Sequence, residues 1–184
     1  MGNNFNPSRR SPKKKNGKDF YHQGKYSPKN PQKYLGDLLN VVFRSKWEWC
    51  FMCYCDQNPL ISKWSCEHII IPYQDSKGRY HRYYPDFYIE RIDPNDPNKF
   101  VRAIIEIKPS TEISPAFLNP DGSIKPPEIY LKKVTAKSME SYEYQLKTYQ
   151  KNLQKWTRAK DWCKKHSMEF VLMSEKYLME KKIM

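Results

Sequence analysis

At 184 residues the chain is long enough for one domain and short for two. Its net charge of +13, pI of about 9.4 and mean hydropathy of −0.91 come with 15% aromatic residues, which argues against a disordered polymer, and no apolar run reaches bilayer-spanning length. The five cysteines lack a disulfide-scaffold spacing and read as reduced thiols, and the basic N-terminus has no apolar stretch of the secretory kind behind it.

Residues 1–33 hold nine Lys/Arg against one acid, Asp19, and so carry +8 of the +13. With four prolines and little apolar periodicity they read as a flexible basic arm, and 34–184 as a single domain behind it. Lys13, Lys14 and Lys15 are its densest cluster, suited to phosphate or, more plainly, to solubility. Over about 35–55, Leu35, Leu38, Leu39, Val42, Trp49 and Met52 recur at helical intervals without a proline, which predicts a helix. Residues 66–73 predict a first strand and 74–78, QDSKG, a turn. Residues 79–91, RYHRYYPDFYIER, predict a second strand, with Pro85 at a start or bulge. A turn at 92–98 leads to an alternating, β-branched third strand at 99–108. A loop insertion comes next over 109–135, with a short element near 127–133. The pattern then turns helical from about 136 to 165, on a stripe of Met139, Tyr142, Leu146, Tyr149, Leu153, Trp156 and Ala159. Residues 168–175 close the order as a strand: αβββαβ, one α/β domain with a mixed central sheet.

The chemistry lies in Pro85-Asp86 and Glu106-Ile107-Lys108. Residues i and i+2 of a strand share a face, so Glu106 and Lys108 project together while Ile105 and Ile107 face the other way. Folding the second and third strands into a hairpin about 92–98 places Asp86 across from residues 106–108. Two carboxylates and an ammonium then converge. The carboxylates can share a divalent metal with oxygen preference, Mg²⁺ or in its place Mn²⁺, and the lysine can orient water or offset transition-state charge.

This PD…ExK arrangement, with its element order, resembles the PD-(D/E)xK nuclease superfamily and implies a restriction-endonuclease-like core and Mg-dependent DNA endonuclease activity. Glu48 on the first helix matches an acid that often supplies a further metal or water ligand there. Gln145-x-x-x-Tyr149 resembles the helix motif that borders DNA and active site in RecB-type members. Arg44, beside Glu48, and Arg82, near the PD end of the hairpin, are candidate phosphate contacts with Lys13–Lys15. More closely, the stretch from about Gly24 to Pro109 resembles the head-completion nucleases of T-even-like tailed phages; transposon-end-cleaving nucleases are a more distant likeness. The resemblance implies cleavage or trimming of packaged double-stranded DNA ends before tail attachment, portal or neck proteins as partners, no membrane, and a place in the host cytoplasm during infection or on the virion. A structural cap on the filled capsid, and a non-catalytic DNA adaptor, are the rival readings.

Plainer accounts stand beside these. Asp86 can cap a strand, Glu106–Lys108 can be a surface pair, and Glu48, Gln145 and Tyr149 can be ordinary helix residues. Glu67 reads better as a salt-bridge partner than as an active-site acid, and Cys50-x-x-Cys53 as buried thiols in a core helix rather than a zinc knuckle.

Overall fold

The computed structural model describes residues 23–93 and 95–184. Four strands form the central sheet: β3 (Ile61–Cys66), β6 (Phe87–Asp93), β7 (Asp96–Ile107) and β8 (Glu169–Met173), in the order β3-β6-β7-β8. β6 pairs antiparallel with both β3 and β7, and β8 joins β7 in parallel, so the sheet is mixed as predicted. Two strands before it, β1 (Gly24–Lys25) and β2 (Val42–Phe43), form a small ribbon, and β4 (Ile71–Gln74) and β5 (Tyr80–Tyr83) form a separate hairpin.

The period-2 alternation of β6 and β7 sends their side chains to two cores. Phe87, Ile89, Ile105 and Ile107 pack with Phe51, Met52 and Cys55 of α1 (Lys46–Gln57). Two short helices, α2 (Ser110–Ile113) and α3 (Pro127–Tyr130), interrupt the 109–135 insertion, the second where a short element was expected. Tyr88 and Ile104 pack with Cys163 of α4 (Ala136–Lys165) on the other face. Ala159 of α4 also lies against Ile71, Tyr73 and Tyr83 of the β4–β5 hairpin. The sheet is therefore sandwiched between two helices.

Several boundaries differ from the sequence expectation. The helix expected at 35–55 begins only at Lys46, because Ser45 caps it: the Ser45 hydroxyl accepts the Glu48 N–H at 3.1 Å. Val42, read as part of the helical stripe, is exposed, while Val41 and Phe43, two residues apart, are buried from extended chain. Of the strand expected at 66–73, residues 71–73 are extended in β4, off the main sheet, whose first strand runs over 61–66; the expected 79–91 strand breaks at Tyr84-Pro85 into β5 and β6. Pro85 thus separates two strands rather than bulging one. The second and third strands extend further into the expected 92–98 turn, to Asp93 and from Asp96. The turn at 74–78 is as expected: Gly78 takes a φ of +75°, and Asp75 Oδ1 accepts the N–H groups of Lys77 and Arg79. On α4 the inward face runs through Tyr142, Asn152, Trp156, Ala159 and Cys163, while Leu153 is exposed.

The arm's expected end at residue 33 also shifts. Residues 1–22, including Lys13, Lys14 and Lys15, lie outside the described residues. Residues 24–33, by contrast, are packed on the domain around Asp56, which is fully buried. Its carboxylate accepts the Tyr26 hydroxyl at 2.9 Å, the Lys29 N–H at 2.7 Å and the Asn30 N–H at 2.9 Å. A buried carboxylate needs such donors, and here one tyrosine hydroxyl and the backbone of a lysine-bearing segment supply them.

Candidate active site

Asp86 lies in the short link between β5 and β6, directly after Pro85. Glu106 is the penultimate residue of β7, and Lys108 comes directly after the strand's last residue. The register pairs Phe87 with Ile105, which sets Asp86 opposite Glu106. The three groups meet: Lys108 Nζ lies 2.8 Å from Glu106 Oε1 and 3.7 Å from Asp86 Oδ2. Asp86 Oδ2 accepts the Ile107 N–H at 2.7 Å, and the Asp86 N–H donates to Glu106 Oε2 at 3.3 Å. Asp86 therefore also caps the strand end, as the plainer reading expected.

Side-chain exposure is 20% at Asp86, 4% at Glu106 and 25% at Lys108, so the cluster is recessed yet reachable. Burial, and then the repulsion of Glu106, push the Asp86 carboxyl up; Lys108 and the Ile107 N–H offset part of this. At Lys108 burial favours loss of the proton, but the attraction of Asp86 and Glu106 outweighs it and raises the pKa. One ammonium faces two carboxyl groups in a recess, so ionisation of both leaves a surplus of negative charge there. With oxygen donors alone, that surplus fits a hard divalent cation, held by Asp86 and Glu106, better than it fits zinc.

Glu48 stands beside this pair rather than within it. Its Oε2 accepts the Arg44 N–H at 2.7 Å and its Oε1 accepts the Ser45 hydroxyl at 3.0 Å, a capping arrangement at the start of α1. Its charge nonetheless reaches Asp86 and adds to the upward push there. Among the described residues no group of three or more His, Cys, Asp or Glu stands close enough to share an ion. Arg44 is exposed, forms an ion pair with Glu67 and feels Glu48 and Asp86. Glu67 is the salt-bridge partner the sequence suggested, although it comes after β3 instead of opening a strand. It takes a φ of +47° and its N–H donates to the Asp86 carbonyl at 3.2 Å. Arg82 is exposed on β5, along a groove between the hairpin and α4.

Gln145 and Tyr149 are not drawn into the acid–lysine cluster. Gln145 is exposed and its Nε2 donates to Ser141 Oγ at 3.2 Å, while Tyr149 packs edge-on against Phe117 at 5.8 Å between centroids. The α4 residue that does face the cluster is Lys155, which sequence reasoning missed. Its ammonium lies 5.5 Å from the Tyr83 ring, and its pKa is lowered by burial and by Lys151 while Glu106 and Asp86 pull the other way. Tyr83 lies next to the same acids: burial, and then Glu106, raise its pKa. The signal was the spacing Lys147, Lys151, Lys155, one lysine per turn of the helix. Asn152 ties α4 to the segment after Lys108, donating to Glu112 Oε2 of α2 at 3.1 Å. The thiols of α1 fit the core reading: Cys50 and Cys55 are buried, and burial raises both.

A mixed sheet between two helices, with an acid pair and a lysine at the end of its central hairpin, defines a nuclease of the restriction-endonuclease-like class. Residues 58–175 match the family described as TnsA-like endonuclease N terminal, and the chain belongs to that family. It is also 30% identical over 155 residues to the head completion nuclease of Enterobacteria phage T4, covering 84% of this chain and 91% of that protein. No solved structure matches the chain significantly.

Proposed function

We propose that the protein is a metal-dependent DNA nuclease of phage head completion, which cleaves or trims the ends of packaged DNA before a tail attaches. The likeness to the phage T4 protein supports the setting. The observation that carries the chemistry is the meeting of Asp86, Glu106 and Lys108 within 3.7 Å in one recess. Asp86 and Glu106 are the proposed holders of a divalent cation, Mg²⁺ or Mn²⁺, with Glu48 as a third acid at their side. When bound, such an ion supplies positive charge to the phosphoryl oxygens and helps generate the nucleophile. Lys108 presents an ammonium to the negative charge that grows on the reacting phosphate. The Ile107 N–H fixes the Asp86 carboxylate, and recession of Glu106 keeps its charge poorly screened by water. Arg44, Arg82 and Lys13–Lys15 are proposed phosphate contacts. Gln145 and Tyr149 are proposed to meet the duplex about two to three helical turns along α4 from Lys155. The portal or neck of a filled capsid, in the infected host's cytoplasm, is the proposed place of action.

The test incubates purified protein with linear and circular duplex DNA, with and without Mg²⁺, beside Lys108→Ala and Asp86→Asn. Each variant is expected to lose roughly 10²–10³-fold or more in cleavage rate, with an unchanged circular-dichroism spectrum. Near-normal cleavage by both variants rejects the assignment. Full restoration of infectious particles by Lys108→Ala would favour the structural cap instead.

A further inference from the structure

A groove of about 520 Å³ runs between the β4–β5 hairpin and α4, and cations dominate its lining: Arg79, Arg82, Lys147, Lys151 and Lys155 against Asp75. Asp75 is already spent on the hairpin, held by Arg79 at 2.7 Å and His81 at 2.9 Å. Among the described residues, Arg82, Lys151 and Lys155 have no ion-pair partner, and Lys147 has only a loose exposed contact to Glu143 at 3.8 Å. Like charges one turn apart weaken a helix, so local stability gives no reason for three lysines at i, i+4 and i+8. The wall opposite them is fixed to the helix: Arg158 Nε donates to the Pro72 carbonyl at 3.1 Å, and Ile71, Tyr73 and Tyr83 pack on Ala159. At about 1.5 Å per residue the ladder from Lys147 to Lys155 spans about 12 Å. Phosphates of one strand recur about every 3.4 Å along the duplex axis, so that length passes about four of them, roughly every second one within reach of a lysine. The ladder ends at Lys155, whose ammonium senses Asp86 and Glu106.

We propose that this groove holds the sugar–phosphate backbone of one strand of duplex DNA, with Lys147 and Lys151 each on a phosphate of that strand and Lys155 leading the strand to the acid pair. The last step rests on the nuclease reading; the binding groove does not.

The test is equilibrium binding of a fluorescent duplex to the full chain in chelator, tracked across salt concentrations. Lys147→Gln/Lys151→Gln is compared with Lys160→Gln/Lys164→Gln, which removes the same charge from exposed positions on the opposite side of α4. Each phosphate contact contributes about 0.9 to the slope of log affinity against log salt, so the ladder variant should lower the slope by about 2. Its affinity at low salt should fall at least about tenfold, and the control should keep both values near those of the unmodified chain. An unchanged slope in the ladder variant, or an equal drop in the control, overturns the proposal. No cleavage is measured, so that failure leaves the roles of Asp86, Glu106 and Lys108 standing, and the failure of those roles leaves this result standing.

Discussion

Asp86 is held in a place that disfavours its charge. Burial and Glu106 act in the same direction there, and Lys108 and one backbone N–H are foremost in opposing them. The folded pKa is therefore raised above that of the unfolded chain. Protonated Asp86 favours the folded state at low pH, and that contribution is lost as pH rises from the unfolded value through the folded one. Lys108, its own pKa raised, stays charged across this range and adds no slope. In chelator, the melting temperature of the unmodified protein should fall relative to that of Asp86→Asn between about pH 4 and pH 8; parallel curves would sink the argument. Asparagine retains an oxygen for the Ile107 N–H, so the comparison isolates the charge. The three residues at this point were legible in the sequence because strand alternation and hairpin register are simple arithmetic. Lys155 was not, because its approach depends on how α4 rolls over the sheet. The inward face passes through Asn152, while Leu153 is exposed, contrary to the apolar stripe.

At the scale of elements, the site depends on the chain beyond Lys108 as much as on the strand leading into it. The Lys108 N–H donates to the Met173 carbonyl at 3.0 Å, so the parallel pairing of β7 with β8 runs to the lysine itself. Two residues on, the Ser110 N–H and hydroxyl both donate to Glu175, at 2.7 and 2.5 Å, from the first turn of α5 (Glu175–Glu180). These bonds, Ser110 Oγ foremost, lower the Glu175 pKa. Their stabilisation is present above the unfolded carboxylate range and is lost as pH falls through the lowered folded value. Glu175→Ala should cost about 1 kcal/mol in denaturant unfolding at pH 7, the small end for charge-assisted bonds because the site is partly wet. The gap from the unmodified protein should close in acid. No sequence motif marks this clamp, since its partners are 65 residues apart. The elements themselves were legible where polarity alternates or turn residues cluster. They were misjudged where extended apolar chain imitates a helix, as at Val41–Phe43, and where a proline separates two strands, as at Pro85.

Across the whole molecule, the sheet carries the acid–lysine cluster at one end and the two helices close its faces. Among the described residues, part of the positive charge visible in the composition lies in a segment wrapped around Asp56 and part in the ladder on α4. Net charge alone could announce a polyanionic partner but could not say which surface meets it. Among the described residues a single acid pair is bridged by a single lysine; on the proposed assignment one chain would engage one phosphodiester at a time. The two strands of a duplex run in opposite directions, and the same recess cannot address both without releasing its substrate and returning in a second orientation, or recruiting a second copy. With limiting protein and supercoiled circles, relaxed nicked circles should therefore accumulate before linear molecules appear on a gel, and the two scissions should become nearly simultaneous only where two chains meet on the same stretch.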